Sequence, residues 1–171
     1  GDATDSDWNE LFQDLIGDIK SKIPRNEKLH KDIFIEKFSQ IKYTNGSDYV
    51  KYVLMEMQKD EAPPALWDNN VIEIEHIFPQ TPSVEWNVNK KDAQPFVHLI
   101  GNLSLITSQA NSAINNDSYS TKILTYANEA SSFPQMKDLV DNHNLPDSNS
   151  AKWKFDKITK DDYSCVTKRA K

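Results

Sequence analysis

Glu75 and His76 stand side by side near the end of the run VIEIEHIFPQ (71–80), where apolar and acidic residues alternate up to a proline. An imidazole ionises near pH 6.5, which makes it the natural general base at neutral pH. A carboxylate is a hard oxygen ligand suited to a divalent cation. Alone, the acid would raise the histidine's pKa. A bound cation absorbs that negative charge, so the pair makes more sense with a metal than without one. Neighbours on a regular strand point to opposite faces. Pro79 forces the strand to end nearby, and a strand end lets both groups meet in one pocket.

Two asparagines lie downstream at positions that bracket a second apolar run, Asn102 and Asn111. An amide oxygen is an acceptable ligand for a Mg²⁺-like ion. Being neutral, it keeps the site net positive toward a phosphate. Gly101 before Asn102 permits a tight turn or a close backbone approach. Each residue also has an ordinary structural reading. Gly-Asn is common turn chemistry, an Asn at a helix start is a capping group, and an exposed Lys on a helix is solvated. Trp67, Trp86 and Trp153 read as core or loop-anchoring aromatics rather than base-stacking platforms. His30 and His143 read as surface residues, and Cys165 as structural or incidental.

The elements that must position these residues follow from periodicity. Residues 7–23 carry Trp8, Leu11, Phe12, Leu15, Ile16 and Ile19 at helical spacing, and Pro24 follows. A second helix is expected over 31–41, ending at Asn45-Gly46, and a third over 48–58 with Ser47 as its N-cap. Residues 61–70 read as a loop. Alternation then predicts strands over 71–76 and 103–107, separated by a polar connector. Ser108 is expected to cap a short helix, Ser118 a longer one, and two further helices are expected around 136–142 and 161–170. The order is helices, strand, connector, strand, helix, helices. The fold class is α+β and mainly helical, with helices around a small two-stranded insert followed by a helix. It divides into an N-terminal helical part (1–65), a core (66–130) and a C-terminal helical extension (131–171).

Bulk properties narrow the partners. A chain of 171 residues, 37% of them apolar, fits one domain with a modest core. Twenty basic against 26 acidic residues give a net charge of −6. That argues against a general nucleic-acid coat but not against an enzyme with a small DNA footprint. From Trp86 to Ala130 the charges balance, Lys90, Lys91 and Lys122 against Asp92, Asp117 and Glu129. The single Cys165 excludes an intrachain disulfide and a Cys-rich zinc site, and suits a cytoplasmic setting. No apolar run approaches the roughly 18 residues of a membrane span. The first residue is Gly, not Met, which suggests a fragment of a larger protein.

The segments IEHIFPQ and HLIGNLSLITSQANSAINNDSYSTK resemble the HNH (His-Me finger) nucleases. More closely, they resemble the C-terminal nuclease domain of GmrSD-type modification-dependent restriction enzymes. The resemblance rests on four pieces in order: Glu75–Gln80, His98–Leu103, Asn111-Ser112 and Tyr119–Lys122. It covers 71–126, with weaker likeness over 48–58, and Trp153 and Arg169 echo the closing segment. It implies a ββα-metal nuclease core that cuts or nicks DNA as the effector of a restriction or anti-phage system. His76 would activate the attacking water, Glu75 and Asn111 would hold Mg²⁺ or Mn²⁺, and Asn102 would orient the loop and thereby His76. Lys122 would contact a phosphate or lie behind the site. His98 would be a supporting partner. The implied partners are DNA and a ParB-like nucleotide-hydrolysing domain, N-terminal in the same or a partner chain. Glu75 stands where related enzymes often have Asp. The rival readings are a catalytically inactive DNA-binding or assembly domain that keeps the fold, and a nuclease acting on RNA.

Overall fold

Helices packed around two strands carry the site in the computed structural model, which describes residues 10, 13–14, 16–17, 27–44, 48–58, 71–144, 154–159 and 161–170. Residues 10, 13–14 and 16–17 of the first helical pattern are helical. The rest of that pattern, Ser47, Trp67, Trp153 and the side chain of His30 lie outside the described residues.

Helix α1 (Glu27–Ser39) starts ahead of the expected segment, and α2 (Asp48–Glu56) fills most of its own. Strand β1 (Ile72–His76) pairs antiparallel with β2 (Leu103–Thr107), with Glu75 opposite Ser104 and His76 opposite Leu103. All of β2 except Thr107 is buried. Helices pack against it, and its run LSLIT carries only two hydroxyls, Ser104 and Thr107, among apolar residues.

Helix α3 (Ser108–Ile114) follows directly. Its N-cap is Thr107 rather than Ser108: the Thr107 hydroxyl accepts from the Ala110 amide at 3.2 Å. Ser108 instead donates its hydroxyl to the Val71 carbonyl, pinning the helix start to the beginning of β1. Ser118 does occupy the N-cap of α4 (Tyr119–Glu129), but its hydroxyl bonds those of Ser120 and Thr121 and no helix amide. Helix α5 (Pro134–Asn142) begins at a proline, whose missing N–H costs nothing in the first turn. Helix α6 (Ser164–Arg169) starts three residues later than expected.

The connector 77–102 holds single turns that its polar composition conceals: Val84–Trp86, Lys90–Ala93 and Ile100–Asn102. Trp86 is buried, stacked edge-on to Phe78 at 4.7 Å, and its indole donates to the Asp117 carbonyl. The connector's far end is held by the segment after α1. Lys42 bridges Leu99, the Tyr43 amide donates to the His98 carbonyl, and the Ile100 amide donates to the Ile41 carbonyl. These bonds bring Tyr43 and His98 to the end of β1.

Helix α6 closes the back of the turn at 100–102. A Cβ on Gly101 would lie 1.9 Å from the Val166 carbonyl oxygen, so only glycine permits this approach. The Arg169 guanidinium donates to the carbonyls of Gly101 and Leu103 and to the Gln135 side chain. Burial lowers its pKa to about 10, which leaves it charged at neutral pH.

Candidate active site

Strand periodicity puts Glu73 and Glu75 on one face of β1, and α3 and α4 pack against that face. Glu73 is exposed and accepts from the Asn111 amide at 2.7 Å. Glu75 lies deeper, only 3% exposed. Its Oε1 accepts from Lys122 Nζ at 2.7 Å and from the Tyr126 hydroxyl at 2.6 Å. Lys122 and Tyr126 are one helical turn apart on α4, so a single helix face supplies both donors. Burial raises the Glu75 carboxyl above the ordinary carboxylate range and lowers the Lys122 amine, while each charge stabilises the other. Lys122 also donates to the His76 carbonyl at 2.9 Å. The amine thereby fixes the backbone between the acid and the imidazole.

His76 points the other way, as the alternation requires. Its ring meets Tyr43 and His98 edge-on, at 5.8 and 5.3 Å between centroids. Nε2 lies 3.2 Å from His98 Nδ1, and Nδ1 lies 3.3 Å from the Gln80 amide nitrogen. Burial, then His98 and Lys122, push the imidazole's pKa down to about 3. His76 is therefore neutral at pH 7, with a lone pair able to take a proton.

Asn102 organises the chain that leaves β1. It is wholly buried. Its Oδ1 accepts from the Phe78 amide at 2.9 Å, and its Nδ2 donates to the carbonyls of Phe78 and Val97 at 2.8 and 2.7 Å. The Ile77 amide donates to the Asn102 carbonyl. One side chain thus ties the exit of β1 to the end of the connector and sets the path of Pro79 and Gln80.

Glu75, His76, Pro79, Gln80, Asn111 and Asn115 line one polar cleft of about 230 Å³ at the end of the sheet. The strand end lets Glu75 and His76 reach it from opposite faces. Lys122 and Tyr126 both bond Glu75 Oε1, and the carboxylate lines the cleft. Asn111 gives its Nδ2 to Glu73, which leaves its Oδ1 as an acceptor. Among the described residues no group of three or more His, Cys, Asp or Glu could hold a metal ion. A site of one carboxylate oxygen and one amide oxygen, completed by water and phosphate oxygens, nevertheless suits Mg²⁺, which keeps most of its waters. The donor set fits the cation.

The structure therefore places Glu75, His76 and Asn111 around one cleft, with Asn102, His98 and Lys122 behind it. Of the two places expected for Lys122, the structure has it behind the site and not at a phosphate-contacting surface: it has no exposed surface, and its amine is spent on Glu75 and the His76 carbonyl. The sequence reading missed Glu73, Gln80 and Tyr126. Glu73 was signalled by the two-residue repeat of the strand, and Tyr126 by its four-residue spacing from Lys122. Tyr43 carried no signal, because its place depends on a bridge between distant segments.

Together, a mainly helical α+β fold, an antiparallel strand pair leading into a helix, and a polar cleft at the strand end define a domain built to hold a small charged site. Residues 29–163 match the family model for the C-terminal domain of GmrSD restriction endonucleases, and the chain belongs to that family. Its function is accordingly related to restriction endonucleases. No match was found among curated proteins or among solved structures. No helix among the described residues is long and apolar enough to cross a membrane.

Proposed function

We propose that this domain is an HNH-type, metal-dependent nuclease that hydrolyses DNA phosphodiester bonds, as the cutting or nicking effector of a restriction or anti-phage system. The observation that carries this reading is the convergence of Glu75, His76 and Asn111 on one cleft, with Asn102 clamping the chain beside it. His76 accepts a proton from the attacking water as general base. It is neutral at rest, and the negative charge of an entering phosphate raises its basicity toward the working range. The Glu75 carboxylate and Asn111 Oδ1 would hold Mg²⁺ or Mn²⁺. Such a cation supplies positive charge for the added negative charge on phosphorus and for the departing 3′-oxygen. Lys122 and Tyr126 fix Glu75, and Asn102 fixes the loop that carries Gln80.

The exposed pair Lys90-Lys91 offers local positive charge for the DNA backbone, on a connector turn of an otherwise acidic chain. In the cell, the partner we propose is a ParB-like nucleotide-hydrolysing domain, in the same or another chain, that governs when cutting occurs in the cytoplasm. The reading is tested by incubating the chain with supercoiled plasmid, linear duplex DNA and single-stranded RNA, with Mg²⁺, with Mn²⁺ and with EDTA. Cation-dependent cutting of DNA supports it. Cutting of RNA alone, or DNA binding without cutting at any cation concentration, points to the rival functions instead.

A further inference from the structure

We propose that Arg169 is a positioning residue for the site: from helix α6 it sets the backbone of residues 101–104, and through that backbone the places of Asn102, His76 and Glu75. Its bonds all fall on that stretch or on the side chain that meets it. Nη1 donates to the Gly101 and Leu103 carbonyls at 3.0 and 2.7 Å, one on each side of Asn102. Nη2 donates to Gln135 Oε1 at 3.2 Å, and the same oxygen accepts from the Ser104 hydroxyl at 3.4 Å. Leu103 is the ladder partner of His76, and Ser104 that of Glu75. One guanidinium is thus tied to the residue opposite the proposed base. Through Gln135 it is also tied to the residue opposite the proposed metal ligand.

The donor and acceptor roles are fixed by chemistry, since a guanidinium only donates and a carbonyl only accepts. Among the described residues Arg169 bonds no carboxylate. A charge taken out of water without a bonded counter-charge is a costly way to hold a helix, and an apolar side chain of similar volume would pack α6 as well. What the guanidinium adds is direction, a rigid fork of donors that holds carbonyls in set places. The backbone is shaped for this approach. Gly101 lacks the Cβ that would lie 1.9 Å from the Val166 carbonyl oxygen, so α6 comes close enough for Arg169 to span the turn. Asn102 in turn bonds Ile77 and Phe78, where the chain leaves His76. Helix α6 begins directly after the segment 29–163 that matches the family, so this support comes from outside that segment.

Amide exchange tests the proposal without any substrate, and only its consequence for cutting rests on the nuclease reading. In wild type the Ile77 and Phe78 amides, which donate to Asn102, are expected to be protected. Arg169→Met keeps an apolar stem and removes the donors. It should speed exchange of these two amides at least about tenfold more than that of the α4 amides, the scale of one lost charged hydrogen bond. Val166→Ala loosens the packing of α6 and leaves the guanidinium in place, so it should speed the two sets alike. In a plasmid-cutting assay Arg169→Met should also lower kcat by about tenfold or more with KM nearly unchanged, because the displaced groups are the reacting ones. Equal acceleration of the two sets by Arg169→Met, or the same selective effect from Val166→Ala, would overturn the proposal. Should Arg169→Met fail to fold, Arg169→Lys, with one nitrogen in place of the fork, is read in the same way and the same two outcomes decide. The exchange rates are read whether or not the domain cuts DNA, so failure of the nuclease reading is a separate result.

Discussion

Replacing Asn102 by alanine removes the one side chain that ties the exit of β1 to the connector. The amide makes three hydrogen bonds from a position with no exposure. After truncation the Phe78 amide loses its acceptor in a buried place, which costs about 1–3 kcal/mol. The carbonyls of Phe78 and Val97 each lose a donor, at about 0.5–1.5 kcal/mol apiece. Some relaxation and water entry will recover part of this, so the expected loss is about 3–4 kcal/mol. That is a large share of a typical total of about 5–15 kcal/mol. Urea unfolding followed by tryptophan fluorescence measures it, since Trp86 packs on Phe78 beside the clamp. Amide exchange gives a local reading: the Phe78 N–H should be protected in wild type and exchange rapidly in Asn102→Ala. A loss below about 1 kcal/mol, or an unchanged Phe78 exchange rate, would refute the view that Asn102 holds this loop.

Three further perturbations follow from the same geometry. Lys122→Met leaves the Glu75 carboxyl buried without its cation and should cost about 3–5 kcal/mol. Adding Glu75→Gln should recover much of that, and a double-mutant cycle by urea denaturation with a coupling near zero would contradict the pairing. Gly101→Ala would drive a methyl group into the Val166 backbone and should destabilise by at least about 1–3 kcal/mol, read as a drop in melting temperature. The pH dependence has a definite sign. His76 titrates near 3 when folded and near 6.5 when free, so the unfolded chain takes up the proton first. Its contribution is full above about pH 6.5 and is lost as the pH falls toward 3. At pH 4.5 this amounts to about 2–3 kcal/mol. The raised pKa of Glu75 acts in the opposite sense, so the test is the difference between wild type and His76→Gln. Equal acid sensitivity in the two proteins would count against the buried neutral imidazole.

Local pattern was enough to read the elements that depend on it. The two strands and the helix that follows them are legible because alternation, β-branching and a capping hydroxyl all act within a few residues. The assignment of that cap to Ser108 failed because Thr107 and Ser108 are equivalent in sequence, and only the bond of Ser108 to Val71 separates them. The site was legible as far as residue type and spacing go. Glu75, His76 and Asn111 do line one cleft. What surrounds them is a matter of tertiary packing. Lys122 reads as an exposed helix residue until α4 is laid against β1, and then it is the most buried cation near the site. Tyr43 reaches His76 only because residues 41–43 bridge the connector at 98–100. The small turns of the connector were hidden by its polar composition, since their stabilising contacts, such as Trp86 on Phe78, are made at a distance in sequence.

The central claim is that His76 serves as the base of a phosphodiester-cleaving site. Its most direct test is the rate of supercoiled-plasmid relaxation by wild type and by His76→Ala, at one protein concentration with Mg²⁺ or Mn²⁺. Circular dichroism must show both proteins folded. The account predicts cation-dependent relaxation by wild type and a loss of about 100-fold or more in the variant, the scale of a general base. Relaxation by His76→Ala within a few-fold of wild type would contradict it.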